Sequence, residues 1–136
     1  MNSFAGLAGS GISRIAVGNP KTVPAGQYAQ QTLIKMALWD RLKPRLVPAE
    51  NVRQVLDYVA RNEVDAGIVY ASDVPVSRGK AVVVAQAPED SHDPILYPIA
   101  VVKDAESPIE AGNFIDLTLG STGQAIMKKY GFLPPQ

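Results

Sequence analysis

Gly18-Asn19-Pro20-Lys21-Thr22-Val23-Pro24-Ala25-Gly26-Gln27-Tyr28 is the stretch on which the fold turns. Before it, Ile12 to Val17 is short, β-branched and apolar, the composition of a buried strand in a parallel sheet, and Gly-Asn-Pro ends it. After it, Ala29, Leu33, Met36 and Ala37 recur at i, i+4, i+7 and i+8, which predicts a helix from Gly26 to about Leu38 with one apolar face. The stretch therefore joins a strand to a helix start. The first N–H groups there lack intrahelical acceptors and the helix dipole favours negative charge, so the turn has anion-binding geometry.

A second copy of the device lies at Val47-Pro48-Ala49-Glu50-Asn51-Val52. Arg45-Leu46-Val47 reads as a short strand, reached after Lys43-Pro44 stops a run in which Trp39 and Leu42 continue the apolar signal, Trp39 as a core or lobe-edge residue. Val52, Val55, Leu56 and Val59 then give a clean helical stripe, with Arg53, Gln54, Asp57 and Arg61 on the other face. Asn62-Glu63-Val64-Asp65 turns out of it into a third buried strand, Ala66 to Tyr70. Strand, helix, strand, helix, strand with short turns predicts right-handed crossovers and an α/β fold whose mostly parallel sheet carries helices on both faces. Ligands of such sheets sit at the strands' carboxyl ends, which here are the two Val-Pro-Ala turns and Tyr70.

The remainder is less regular. Ser3 to Ala8 is a lead-in turn, and Ser72 to Gly79 a loop. Lys80 to Ala85 and Ile95 to Val102 read as further strands, the second at an edge or a crossing point because of Pro98. Ser107-Pro108-Ile109-Glu110 and Ser121-Thr122-Gly123-Gln124 are capping-box patterns opening helices to Leu119 and through Tyr130, ended by Gly120 and Gly131, with Lys128 and Lys129 suiting the final dipole.

The chain's 136 residues are 46% hydrophobic and 19% charged, enough for one core. Zero cysteines exclude disulfides and thiolate chemistry. Thirteen basic and thirteen acidic residues leave no overall field to draw nucleic acid or an anionic membrane, so any anion must be held locally. Runs such as Ala81–Ala85 are far too short to cross a bilayer, and residues 1–11 lack the pattern of a secretory signal. Nothing groups a nucleophile with a base, and no phosphate fingerprint or His-Glu-x-x-His pair occurs, so no catalysis is expected. His92, the sole histidine, lies in the acidic loop Pro88–Pro94 and reads as a solvated residue, with no metal site expected. Lys21 and Arg53 flank the two turns as steering or plain surface charge. On pattern alone, Ala25 and Val52 read as ordinary helix starts facing water and Tyr70 as a strand-end aromatic with its hydroxyl in solvent.

Taken together, Arg14–Pro20, Val23–Ala29, Leu46–Arg53, Asp65–Tyr70, Pro88–His92 and Lys129–Phe132 resemble the molybdate-binding periplasmic proteins of ABC transporters, in that family's order and across nearly the whole chain. The resemblance implies one lobe of a type II periplasmic-binding-protein fold plus C-terminal helices. The receptor would be extracytoplasmic, closing on molybdate or tungstate and delivering it to a membrane permease, with no cofactor. It also implies that neutral donors hold the tetrahedral oxyanion: the backbone N–H of Ala25, the backbone N–H of Val52 and the hydroxyl of Tyr70. The family's other lobe supplies hydroxyl donors from an N-terminal half that this chain lacks. The expectation is thus a truncated receptor, residues 1–96 forming the oxyanion-binding lobe and 97–136 a crossover strand and helices that ordinarily return to the absent lobe, with weak ligand binding. A different expectation is a self-associating interaction module, a homodimer or an exchange of the C-terminal segment driven by uncovered Ala111, Phe114, Ile115, Ile126 and Met127. An effector lobe of a transcriptional regulator would need a fused DNA-binding segment, and none is visible in the sequence.

Overall fold

The computed structural model describes residues 3–135. It divides into two compact units, Met1–Pro94 and Ile95–Gln136.

In the first unit the hub is β1 (Ile15–Gly18), every residue of which is buried. It pairs in parallel with β2 (Leu46–Ala49) on one side and β3 (Ala66–Ile68) on the other, giving the order β2-β1-β3. Pro48 has no N–H to give a ladder, and its strand accordingly lies at the edge. Successive side chains of a strand point to opposite faces, and β1 separates two cores in this way. Ile15 joins Phe4, Leu7, Leu33, Leu38 and Leu42 on one face, while Ala16 joins Ala49, Val55 and Val64 on the other.

The helices divide accordingly. α1 (Pro24–Lys35) carries Leu33 into the first core, followed by the single turn α2 (Trp39–Leu42), and α3 (Val52–Ala60) carries Val55 into the second. Leu33, Leu42 and Val55 are fully buried, each contributing about 1.5–3 kcal/mol relative to exposure. Trp39 packs against the first core from its margin.

The ends of α1 and α3 follow one recipe. After α3, Asn62 adopts φ 56°, its N–H donating to Val59 O and that of Glu63 to Tyr58 O. This is the paired 5→2 and 6→1 bonding of a left-handed cap, for which Asn is suited. The first helix uses the same bonds, Ala37 to Ile34 O and Leu38 to Leu33 O, but places an alanine at φ 54°. Ala37 therefore caps α1 and does not extend its apolar face, and the helix runs Pro24–Lys35 where the periodicity predicts Gly26 to Leu38.

The second unit holds α4 (Pro108–Leu119) and α5 (Ser121–Lys129). They meet closely at Gly123, where a Cβ would collide with the carbonyls of Leu117 and Thr118. Gly131, at φ 86°, ends α5 with Phe132 N–H on Met127 O, as its position predicts.

Neither expected later strand forms. Residues 80–85 and 95–102 pair with no strand among the described residues, and Val82, Leu96 and Val102 are exposed. An apolar β-branched run becomes a strand only where a neighbouring chain offers donors and acceptors in register, and neither run has one. The two capping boxes are also corrected. Ser107 caps α4 by position without a side-chain hydrogen bond. Gly120 is the cap of α5, with Ser121 its first residue and the Gln124 amide turned to Thr118 O.

Candidate functional site

The parallel register sets three strand ends at one rim. Gly18 stands opposite Ala49, and Val17 opposite Ile68. From Gly18 the chain passes to the start of α1, from Ala49 to the start of α3, and from Ile68 to Tyr70. The topology thus gathers Ala25, Val52 and Tyr70 at the carboxyl edge of the sheet, where open α/β sheets hold ligands.

The first turn is built by Asn19. Its N–H donates to Ala49 O at 2.8 Å, tying this turn to the next one. Its Oδ1 accepts from Lys21 N–H at 3.0 Å and its carbonyl from Thr22 and Val23. Gly18 and Gly26 let α1 sit directly on the strand end, since a Cβ at Gly26 would collide with the Gly18 carbonyl. Asn51 builds the second turn. Its Oδ1 accepts from Gln54 N–H at 2.9 Å, while the Gln54 side chain accepts from Glu50 N–H at 2.7 Å, displaced by one residue from a standard capping box.

These local bonds select which helix-start donors are left over. In α1, Pro24 has no N–H, and Gly26 and Gln27 both donate to Val23 O, leaving Ala25. In α3, Gln54 is used by Asn51 and Val55 donates to Asn51 O, leaving Val52 and Arg53. Among the described residues, no acceptor takes the N–H of Ala25, Val52 or Arg53. Ala25 is nearly buried at 5% exposure and Val52 half-buried, so their amides lie in partly dehydrated surroundings where a donor interacts more strongly.

Tyr70, also half-buried, stands at the cap position of the 3-10 helix Ala71–Ser77. Three residues on, Asp73 N–H donates to Tyr70 O at 3.0 Å and the Asp73 carboxylate accepts from the Tyr70 backbone N–H. Burial raises the Asp73 pKa above the ordinary 3.8, opposed by that hydrogen bond and by the charge of Arg53. Sequence reasoning missed Asp73; a polar residue three places after a strand end is the signal of a turn cap.

Other polar groups serve elsewhere. His92 lies edge-on to Tyr28 with centroids 5.9 Å apart, in a loop that is latched to α1 by Gln31–Asp93 bonds of 2.6 and 2.9 Å and by Ser91 against Thr32. Ser91 is buried, so the loop is docked on α1, where the sequence suggests plain solvation. Lys21 is exposed. Arg53 joins Arg61, Arg78 and Lys80 around a cavity of 280 Å³ between α3 and the Ala71–Ser77 turn, whose lining includes none of Ala25, Val52 and Tyr70.

A three-stranded parallel sheet with two helix starts and a tyrosine at its carboxyl rim defines an α/β protein of the open-sheet class. Residues 1–133 match the family described as bacterial extracellular solute-binding protein, and the chain belongs to it. It is 48% identical over 119 residues to the molybdate-binding protein ModA of Escherichia coli, covering 88% of this chain and 46% of that one. The solved substrate-binding domain attributed to a molybdenum ABC transporter of Clostridium difficile superposes with a TM-score of 0.88 at 35% identity, over all of this chain and 59% of that one. The periplasmic molybdate-binding protein of Azotobacter vinelandii gives 0.77 at 28% identity, over 96% and 58%. The chain spans about half the length of the curated relatives it matches. Those relatives are solute-binding transport proteins, and no helix among the described residues is long and apolar enough to cross a membrane.

Proposed function

We propose that this chain supplies one lobe's share of a site for molybdate or tungstate, in an extracytoplasmic receptor that serves an ABC transporter permease. In this reading residues 1–96 are the binding lobe and 97–136 return to the other lobe of a whole receptor. The observation that carries it is the set of leftover amides at two helix starts on one sheet rim, Ala25 in α1 and Val52 with its neighbour Arg53 in α3. A tetrahedral dianion needs several donors fixed before it arrives. Backbone amides at helix ends meet that need without a bound cation, each charge-assisted bond contributing ~1.5–3 kcal/mol. The Tyr70 hydroxyl is the third donor. Two donors fewer than a complete site would lower affinity by ~3–6 kcal/mol, so the chain binds weakly on its own.

Titration of the ¹⁵N-labelled chain with molybdate, and with sulfate for comparison, tests this. Saturable shifts of the Ala25 and Val52 amide resonances are expected. Shifts confined to Arg61, Arg78 and Lys80 around the basic cavity, or none, would contradict it.

A second reading is self-association of the chain. It is favoured by Leu96, Phe114, Leu117, Ile126 and Leu133 in the second unit, all more than half exposed.

A further inference from the structure

Asp73 closes the turn after Tyr70 from three residues on, as the acidic half of a capping box does. One carboxylate oxygen accepts from the Tyr70 backbone N–H, while Oδ2 is buried with no donor. A capping acid normally keeps its second oxygen in water, and here that oxygen is withdrawn from it without a partner. The bonding is reciprocal, since Asp73 N–H also donates to Tyr70 O at 3.0 Å. Together the two bonds hold the Tyr70 backbone, at φ −70° and ψ 147°, from both sides. Side-chain rotamers follow the backbone, so this fixes the directions open to the phenol. The charged group acting on Asp73 is Arg53, which comes from α3 and directly follows Val52.

We propose that Asp73 is a positioning residue, holding the Tyr70 backbone so that the Tyr70 hydroxyl faces the rim. The proposal rests on the reading of Tyr70 as an oxyanion donor. Asp73 itself touches no ligand.

Amide spectra and molybdate titrations of the 136-residue chain, the Asp73→Asn and Asp73→Ala variants and Tyr70→Phe separate the outcomes. In the parent chain the Tyr70 amide resonance should move with a single ionisation whose midpoint lies above the ordinary carboxylate value of 3.8, and this should vanish in Asp73→Asn. Asp73→Ala should weaken molybdate binding about tenfold, with Asp73→Asn recovering most of the loss because its amide oxygen still accepts. In the Tyr70→Phe background Asp73→Ala should have no further effect. Equal weakening in both backgrounds, or a Tyr70 titration that survives in Asp73→Asn, overturns the positioning role. If Tyr70→Phe leaves binding intact, the donor reading of Tyr70 fails and the proposal falls with it, while the amide titration still decides whether Asp73 holds the turn.

Discussion

At the amino end of β1 a single carboxylate fixes the strand's entry. Asp65 Oδ2 accepts from Ser13 N–H at 2.7 Å, from the Ser13 hydroxyl at 2.9 Å and from Arg14 N–H at 2.9 Å, joining residues far apart in sequence. The Arg14 and Ser13 backbone bonds, then the Ser13 hydroxyl, lower the Asp65 pKa below 3.8 against a smaller effect of burial. A carboxylate depressed in the folded state adds stability above its unfolded pKa and loses it as pH falls through the folded value. Urea midpoints should therefore fall as pH drops below 3.8, and in Asp65→Ala that fall should be shallower. Identical profiles for the two chains would count against this role. No pattern in the sequence connects Asp65 to Ser13, because the bond spans a whole strand-helix-strand unit. Ala37 was hidden for a different reason. Glycine or asparagine announces a left-handed cap, as Gly131 and Asn62 do, but alanine there looks like one more apolar helix residue.

Among the elements, legibility tracks how much of the stabilising information is local. The stripe Val52, Val55, Leu56, Val59 and the cap Asn51 lie within one segment, and α3 starts where they place it. Residues 80–85 and 95–102 have strand composition but find no partner, and pairing is a property of two segments. The close seating of α1 on β1 is likewise a long-range fact, visible only as the Gly18 and Gly26 approach. Because a Cβ at Gly26 meets backbone that cannot swing away, Gly26→Ala should destabilise the chain by about 1–3 kcal/mol by displacing the helix start. Gly112 has nothing within 4 Å of such a Cβ, and Gly112→Ala is the control, expected to be neutral or mildly stabilising. Equal denaturation midpoints for the two variants would show that the approach at Gly26 relaxes freely. The sequence pointed to two helix starts but not to which amides stay open, which depends on Pro24, Asn51 and Gln54 taking or removing the neighbouring donors.

For the whole molecule, the decisive fact is that the chain matches about half of each relative. Phe114, Leu117 and Ile126 are exposed, and the two readings differ in what covers them, the rest of a receptor or another copy of the chain. Light scattering on the purified chain should give a mass that rises with concentration; a constant monomer mass would remove the self-association reading and leave the receptor reading intact. The receptor reading stands on a backbone donor, which side-chain replacement leaves in place, except replacement by proline. Val52 is the first residue of α3, where proline is favoured, and Asn51 before it is extended, at φ −163° and ψ 168°, as proline requires. Val52→Pro should therefore keep the helix, as judged by circular dichroism, and lose one donor to the anion. The most direct test is the molybdate affinity of Val52→Pro against the parent chain. A loss of roughly ten- to hundredfold with the helix retained is expected, corresponding to one charge-assisted hydrogen bond; a folded Val52→Pro chain that binds molybdate as tightly as its parent would contradict the Val52 donor role.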